Sequence, residues 1–219
     1  MVRRSAESST RWVMDNLNEH EHVSSVSYIT PNIIKIDRAE KPDFQAAIIS
    51  SKKVESDNLL PIAESDEPVK FIANIPKEAF WTGDAIFASQ VLGAAFGGLG
   101  DLYRAIRDED DPSGYVNKEF AFFERGMRQH TRVLRFNRIH DRVYEIERSG
   151  LKNIKVMLLN EYDIVGDNVR VAVDRYGDFS DILKTNPNGQ IMSSATEVSS
   201  RLGIDIHKFG EFLGRLNKP

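Results

Sequence analysis

Apolar and polar positions alternate most legibly in the last third of the chain. Asn153–Asn160 (NIKVMLLN) is a short apolar run rich in β-formers. Asp167–Tyr176 (DNVRVAVDRY) places Val169, Val173 and Tyr176 at helical spacing. Phe179–Lys184 (FSDILK) is a second short run, closed by the turn-forming Asn186-Pro187-Asn188-Gly189. Ser193 or Ser194 can cap a helix running through Leu202. Gly203 ends that helix, and Ile204–Phe209 (IDIHKF) reads as a third strand. Strands alternating with helices of about ten residues imply βαβ units and a parallel sheet. Right-handed crossovers then put the three strand C-termini on one edge, where ligands of open sheets bind.

Glu197–Phe212 also fits a helix-turn-helix register, with Gly203 at the turn. A recognition helix reads bases with Arg, Lys, Asn or Gln near its start. Here the start offers Asp205, Ile206 and His207. The alternation of Ile204 to His207 favours the strand.

Earlier, a helix from Arg11 would bury Val13 and Leu17, with Trp12 alongside. Val26–Ile29 and Ile33–Ile36 are short β-like runs around Thr30-Pro31-Asn32. Phe44–Ser50 reads as a strand, Ser51–Pro68 as mostly loop, and Val69–Ile75 as a strand stopped by Pro76. Ala79–Ile106 reads as a helix broken at Gly97–Gly100, and Arg107–Gly114 as an acidic turn. Tyr115–Ser149 then reads as one long helical segment, because Arg125, Arg128, Arg132, Arg135, Arg138 and Arg142 recur at three- and four-residue steps. No internal repeat is evident. The expectation is a single α/β domain over residues 1–219 with an internal boundary near 107–114. Its sheet would be mainly parallel with helices on both faces, the Arg-rich helical segment preceding a closing βαβαβ unit.

The chain has 219 residues and no Cys, which excludes disulfides, thiolate metal sites and Cys nucleophiles. Nothing resembles a secretory signal or a membrane span, so a cytoplasmic location with no membrane partner is expected. A formal charge of −4 argues against a general polycation but leaves room for a local basic patch.

Thr185-Asn186, Ser193-Ser194-Ala195, Ser199, Gly203-Ile204, Ile206 and Leu213 resemble the closing β-α-β of Mrr-type restriction endonucleases. The resemblance covers about the last thirty-five residues. It implies a restriction-endonuclease-like fold associated with nucleic acid. That family's catalytic signature is an Asp followed by Gln/Glu-x-Lys, and no Glu or Gln here has Lys two residues on.

Three kinds of site follow. Arg128, Arg132 and Arg135 could grip phosphates of DNA or RNA bidentately; the same residues could equally form a solvated face. The sheet edge gathers Asn74, Lys77, Thr185, Asn186 and His207 as a pocket for a nucleotide-like ligand. At that edge Glu161 and Asp163 could hold Mg²⁺ or Mn²⁺, with Lys184 steadying a phosphoryl group in phosphodiester hydrolysis. Polar residues also end strands with no function at all. The alternative is a non-catalytic binding or regulatory module of the same fold. Phe96–Asp101, a Gly-rich stretch, lacks dinucleotide and Walker spacing and reads as a helix break.

Overall fold

The computed structural model describes residues 2–219, with side chains from residue 8 onward. The chain divides into two compact units, residues 1–117 and 118–219.

The first unit opens with α1 (Val2–Asn18), which buries Val13, Met14 and Leu17. A hairpin follows, β1 (Val23–Thr30) and β2 (Ile33–Arg38), turning at Pro31-Asn32. Thr30 Oγ1 accepts the Ile33 N–H at 3.1 Å and so closes the turn. The antiparallel strand β3 (Phe44–Ile49) lies next to β2. Then come β4 (Lys53–Val54), a 3-10 turn and α2 (Leu60–Ala63), β5 (Val69–Asn74), β6 (Phe80–Trp81), α3 (Gly83–Val91), β7 (Ala95–Gly97) and α4 (Leu99–Asp108). The sheet order is β1-β2-β3-β5-β7, and β3, β5 and β7 are mutually parallel. The stub strands β4 and β6 pair parallel in a separate two-stranded sheet.

The second unit runs α5 (Lys118–Gln129), β8 (Val133–His140), β9 (Val143–Arg148), β10 (Leu151–Leu159), α6 (Gly166–Tyr176), β11 (Asp181–Lys184), α7 (Ser193–Arg201), β12 (Asp205–Lys208) and α8 (Phe209–Arg215). Its sheet order is β12-β11-β10-β9-β8. Strands β10, β11 and β12 are parallel, so the closing strand–helix–strand alternation is present. Strands β8, β9 and β10 form an antiparallel meander.

The expectation of a mainly parallel sheet is therefore overturned. Each unit has a mixed five-stranded sheet, half of whose neighbour pairs are antiparallel. The long Arg-rich helical segment is overturned with it. Helix α5 stops at Gln129, and Val133–Arg148 is a hairpin. The deciding pattern is period two: Tyr144, Ile146 and Arg148 are buried while Glu145 and Glu147 are not. Arginines three and four apart mimicked a helix, but the apolar residues between them obey a strand. The broken helix over Ala79–Ile106 resolves into α3, β7 and α4.

The two units are copies of one design, displaced by 110 positions. Val23 pairs Arg38 and Val26 pairs Ile36; likewise Val133 pairs Arg148 and Phe136 pairs Ile146. Even the register shifts coincide. Gly93 and Gly203, which end α3 and α7, both take positive φ (69° and 70°), a conformation that costs a residue with Cβ about 1–2 kcal/mol. The repeat that sequence reading missed is carried by polarity and hydrogen bonding, with few identities between the halves.

Candidate functional site

Repetition makes each unit a control for the other. The main core of the first unit contains fourteen buried residues, from α1, the sheet and α4. Ten of the equivalent positions form the core of the second unit. The remaining four change from Met14, Phe71, Ala95 and Ala105 to Glu124, Asp181, Asp205 and Arg215. A fifth neighbour, Gly97, becomes His207. Of these only Asp181 is fully buried, and burying charge is unfavourable unless it is paired, so these substitutions mark where the second unit departs from plain packing.

Asp181 begins β11 and is wholly buried. Its Oδ1 meets His207 Nε2 at 3.0 Å, and its Oδ2 accepts the Ser180 hydroxyl at 2.7 Å. Asp205 lies directly opposite it on β12. Arg215, from α8, places Nε 3.3 Å from Asp181 Oδ1 and 3.5 Å from Asp205 Oδ2. Asp181, Asp205 and His207 each offer a ligand atom within 4.8 Å of the others, so this group could hold a metal ion. Only His207 of this set was singled out from the sequence. Asp181 passed as one polar residue in an apolar run, and its significance depends on the β11–β12 register.

At the opposite end of the parallel strands, Lys184 is buried, and its Nζ donates to the carbonyls of Glu161 (2.9 Å), Asn186 (2.8 Å) and Asn188 (2.6 Å). Burial lowers its pKa, against the nearby charge of Asp163, which raises it. The Glu161 and Asp163 side chains are exposed in the loop after β10, and Asp163 Oδ1 accepts the Gln190 N–H at 2.7 Å. The loops touch so closely that a Cβ on Gly189 would lie 1.9 Å from the Tyr162 carbonyl oxygen. The three residues do share one loop edge, but the ammonium faces backbone oxygens.

Thr185 Oγ1 donates to Glu119 Oε1 at 2.5 Å, and Asn160 donates to Glu119 Oε2 at 3.1 Å. Arg142 also pairs with Glu119, which the sequence reading did not single out. Asn186 Oδ1 accepts the Asn188 N–H. Asn74 and Lys77 lie in the first unit, on a different sheet from Thr185, Asn186 and His207. Asn74 is buried and tied to both backbone polar groups of Ser51, while Lys77 is exposed.

The arginines also separate. Arg128 lies in the last turn of α5, pairs with Glu124 at 2.7 Å and lies over the Phe136 ring at 5.6 Å. Arg132 is exposed in the turn before β8. Arg135 pairs with Glu147 across the hairpin. As the strand neighbour of Phe136, Arg135 faces the other side of the sheet from Arg128. On the Arg128 side, an open groove of about 240 Å³ runs between α5 and α8. Phe122, Arg125, Gly126, His130, Phe209 and Leu213 line it. The Phe122 and Phe209 rings are 4.8 Å apart, and a Cβ on Gly126 would lie 2.9 Å from the tip of Phe209.

No family model, curated protein or solved structure matches this chain. Among the described residues, no helix is long and apolar enough to cross a membrane.

Proposed function

We propose that this chain binds single-stranded DNA or RNA through the α5–α8 groove of its second unit, as a non-catalytic module. One observation carries the reading. Where the second unit has Arg125, Arg128, Arg132 and Arg135, the first has Asp15, Asn18, His22 and Ser25. Residues 118–219 hold 17 Lys and Arg against 14 Asp and Glu, a formal +3, and residues 1–117 hold 12 against 19, a formal −7, which together give the chain's −4. Charge asymmetry between halves is a signature of polyanion binding. Aromatic rings beside exposed arginines supply the rest. Phe122 and Phe209 can stack a base while Arg125, Arg128 and Arg132 meet phosphates. The ion pair of Arg128 with Glu124 is exposed on the arginine side, so trading it for a phosphate costs little. Such a cysteine-free binding protein suits the cytoplasm.

Fluorescence anisotropy of a labelled oligonucleotide with the full chain tests this. Affinity should fall with salt at a log–log slope of roughly −2, from about three phosphate contacts at −0.7 each. Replacing Arg125, Arg128 and Arg132 by Gln should flatten the slope. Phe122→Ala should weaken binding about tenfold, the loss of one stacked base. Absence of binding to any DNA or RNA at low salt would overturn the reading.

Restriction-endonuclease-like hydrolysis is the second reading. It is favoured by the loop edge that Glu161, Asp163 and Lys184 share, where Mg²⁺ or Mn²⁺ would bind. It has less support, because Lys184 already serves three carbonyls. Cleavage that needs either metal and vanishes in Glu161→Gln would establish it.

A further inference from the structure

We infer that Asp181, Asp205 and His207 form a site for a divalent transition-metal ion, with Arg215 as the resident cation that the metal displaces. The fold itself does not need these residues. The first unit builds the same strands and helix with Phe71, Ala95, Gly97 and Ala105 at the equivalent positions, buried as plain core apart from the half-buried Gly97. The second unit gives up that packing for two carboxylates, an imidazole and a guanidinium.

Geometry makes the group suitable for a metal. Two ligands at about 2.1 Å from an ion are about 3 Å apart at octahedral angles and about 3.4 Å apart at the tetrahedral angle that zinc prefers. His207 Nε2 and Asp181 Oδ1 are 3.0 Å apart. Asp205 is on the same strand as His207, two residues away, and so on the same sheet face. Ser180 holds the other Asp181 oxygen, the kind of outer hydrogen bond that orients a ligating carboxylate. Access comes from the edge of the sheet. Strand β12 is the outermost strand, and the Asp205 side chain is 65% exposed.

Arg215 is the weak member of the cluster. Its Nε is buried beside both carboxylates yet makes no hydrogen bond. Its Nη1 is engaged elsewhere, by the carbonyls of Lys218 and Pro219. The guanidinium thus balances the carboxylates by charge without meeting their lone pairs, and it belongs to the last turn of a C-terminal helix. An arginine so placed can swing out towards solvent when an ion takes over the charge. Arg148 sits farther off, bonded to the carbonyls of residues 215, 216 and 218, and stays in place. One nitrogen and two oxygen ligands suit Zn²⁺, Co²⁺ or Mn²⁺ better than Mg²⁺, which seldom takes imidazole.

The test is titration of the metal-stripped full chain with Zn²⁺ by calorimetry, and with Co²⁺ by visible absorption. One equivalent should bind. Asp205→Ala and His207→Gly install the first unit's own residues, so the fold should survive by circular dichroism. Each should weaken binding at least tenfold. Arg215→Gln should tighten it, because no cation then competes. His22→Ala, in the first unit, should leave it unchanged. Failure of both wild type and Arg215→Gln to bind either ion saturably would overturn the site. So would binding that survives Asp205→Ala and His207→Gly together.

Discussion

Arg38 and Arg148 occupy one position in two copies of the same unit, and each closes the same corner. Arg38, the last residue of β2, is buried and donates to the carbonyls of Pro42, Ile106, Glu109 and Asp110. Arg148, the last residue of β9, is equally buried and donates to Lys152, Arg215, Leu216 and Lys218. Both therefore satisfy the carbonyls that a helix C-terminus leaves unpaired. Burial lowers both pKa values, yet a guanidinium remains charged.

Lysine cannot reproduce that fork of donors. Arg38→Lys and Arg148→Lys should each cost about 2–3 kcal/mol, from carbonyls left without a donor. Urea unfolding measures the loss, and hydrogen exchange locates it. Deprotection should be confined to residues 1–117 for Arg38→Lys and to 118–219 for Arg148→Lys. A loss under about 0.5 kcal/mol, or one spread evenly over both units, would contradict the shared corner role.

The same pair shows why the repeat was hard to read. Arg38 and Arg148 are identical, as are His20 and His130, Val23 and Val133, and Ile36 and Ile146. Elsewhere identities are scattered, as at Ile29 and Ile139 or Ile72 and Ile182, and the halves share mostly polarity. Asn58 and Asn168 cap equivalent turns, each through Oδ1 at 2.8 Å from a backbone N–H, but one lies in a 3-10 turn ahead of a single helical turn and the other in the first turn of a full helix. The closing strands were legible because Gly203 breaks the chain between an amphipathic helix and an alternating run. The hairpin was not, because arginine spacing suggested one period and the apolar residues another. Asp181 was illegible for a different reason. Its burial among charges depends on a strand neighbour twenty-four positions away, which no local pattern reports.

Tyr144 and Tyr176 give the fold an alkaline limit. Tyr144 is wholly buried in the second core, donating to Glu124 Oε1 at 3.1 Å, and Tyr176 is buried at the end of α6. Burial raises both phenol pKa values above the ordinary 10. Below about pH 10 both states hold these protons, and stability is unaffected. As pH rises past about 10 the unfolded chain loses them first, so stability should fall. Tyrosinate absorbance should accordingly lag in the native protein and complete only with unfolding. Full ionisation of every tyrosine at about pH 10.5 with the near-ultraviolet dichroism intact would contradict the burial. Tyr144→Phe should reduce the alkaline slope.

Lys184 offers the sharpest separation of architecture from chemistry. Its ammonium joins three carbonyls that belong to two loops, at residue 161 and at residues 186 and 188. In the first unit the equivalent residue is Asn74, which holds only Ser51, the counterpart of Glu161. The smaller side chain suffices there because no second loop has to be gathered by it. Lys184→Met leaves all three carbonyls without the donor and should cost about 3 kcal/mol. Lys184→Asn can keep the contact to residue 161, as Asn74 does, and lose the other two, so its cost should be intermediate. Thermal unfolding of the two variants measures this order. The clamp also predicts where exchange rises, at the amides of Ile164 and Gln190, which pin the loops to each other. A catalytic lysine would behave differently: either variant would leave stability near that of the parent and remove only turnover. Equal stability of Lys184→Met and the parent would therefore overturn the clamp and return this residue to the hydrolytic reading.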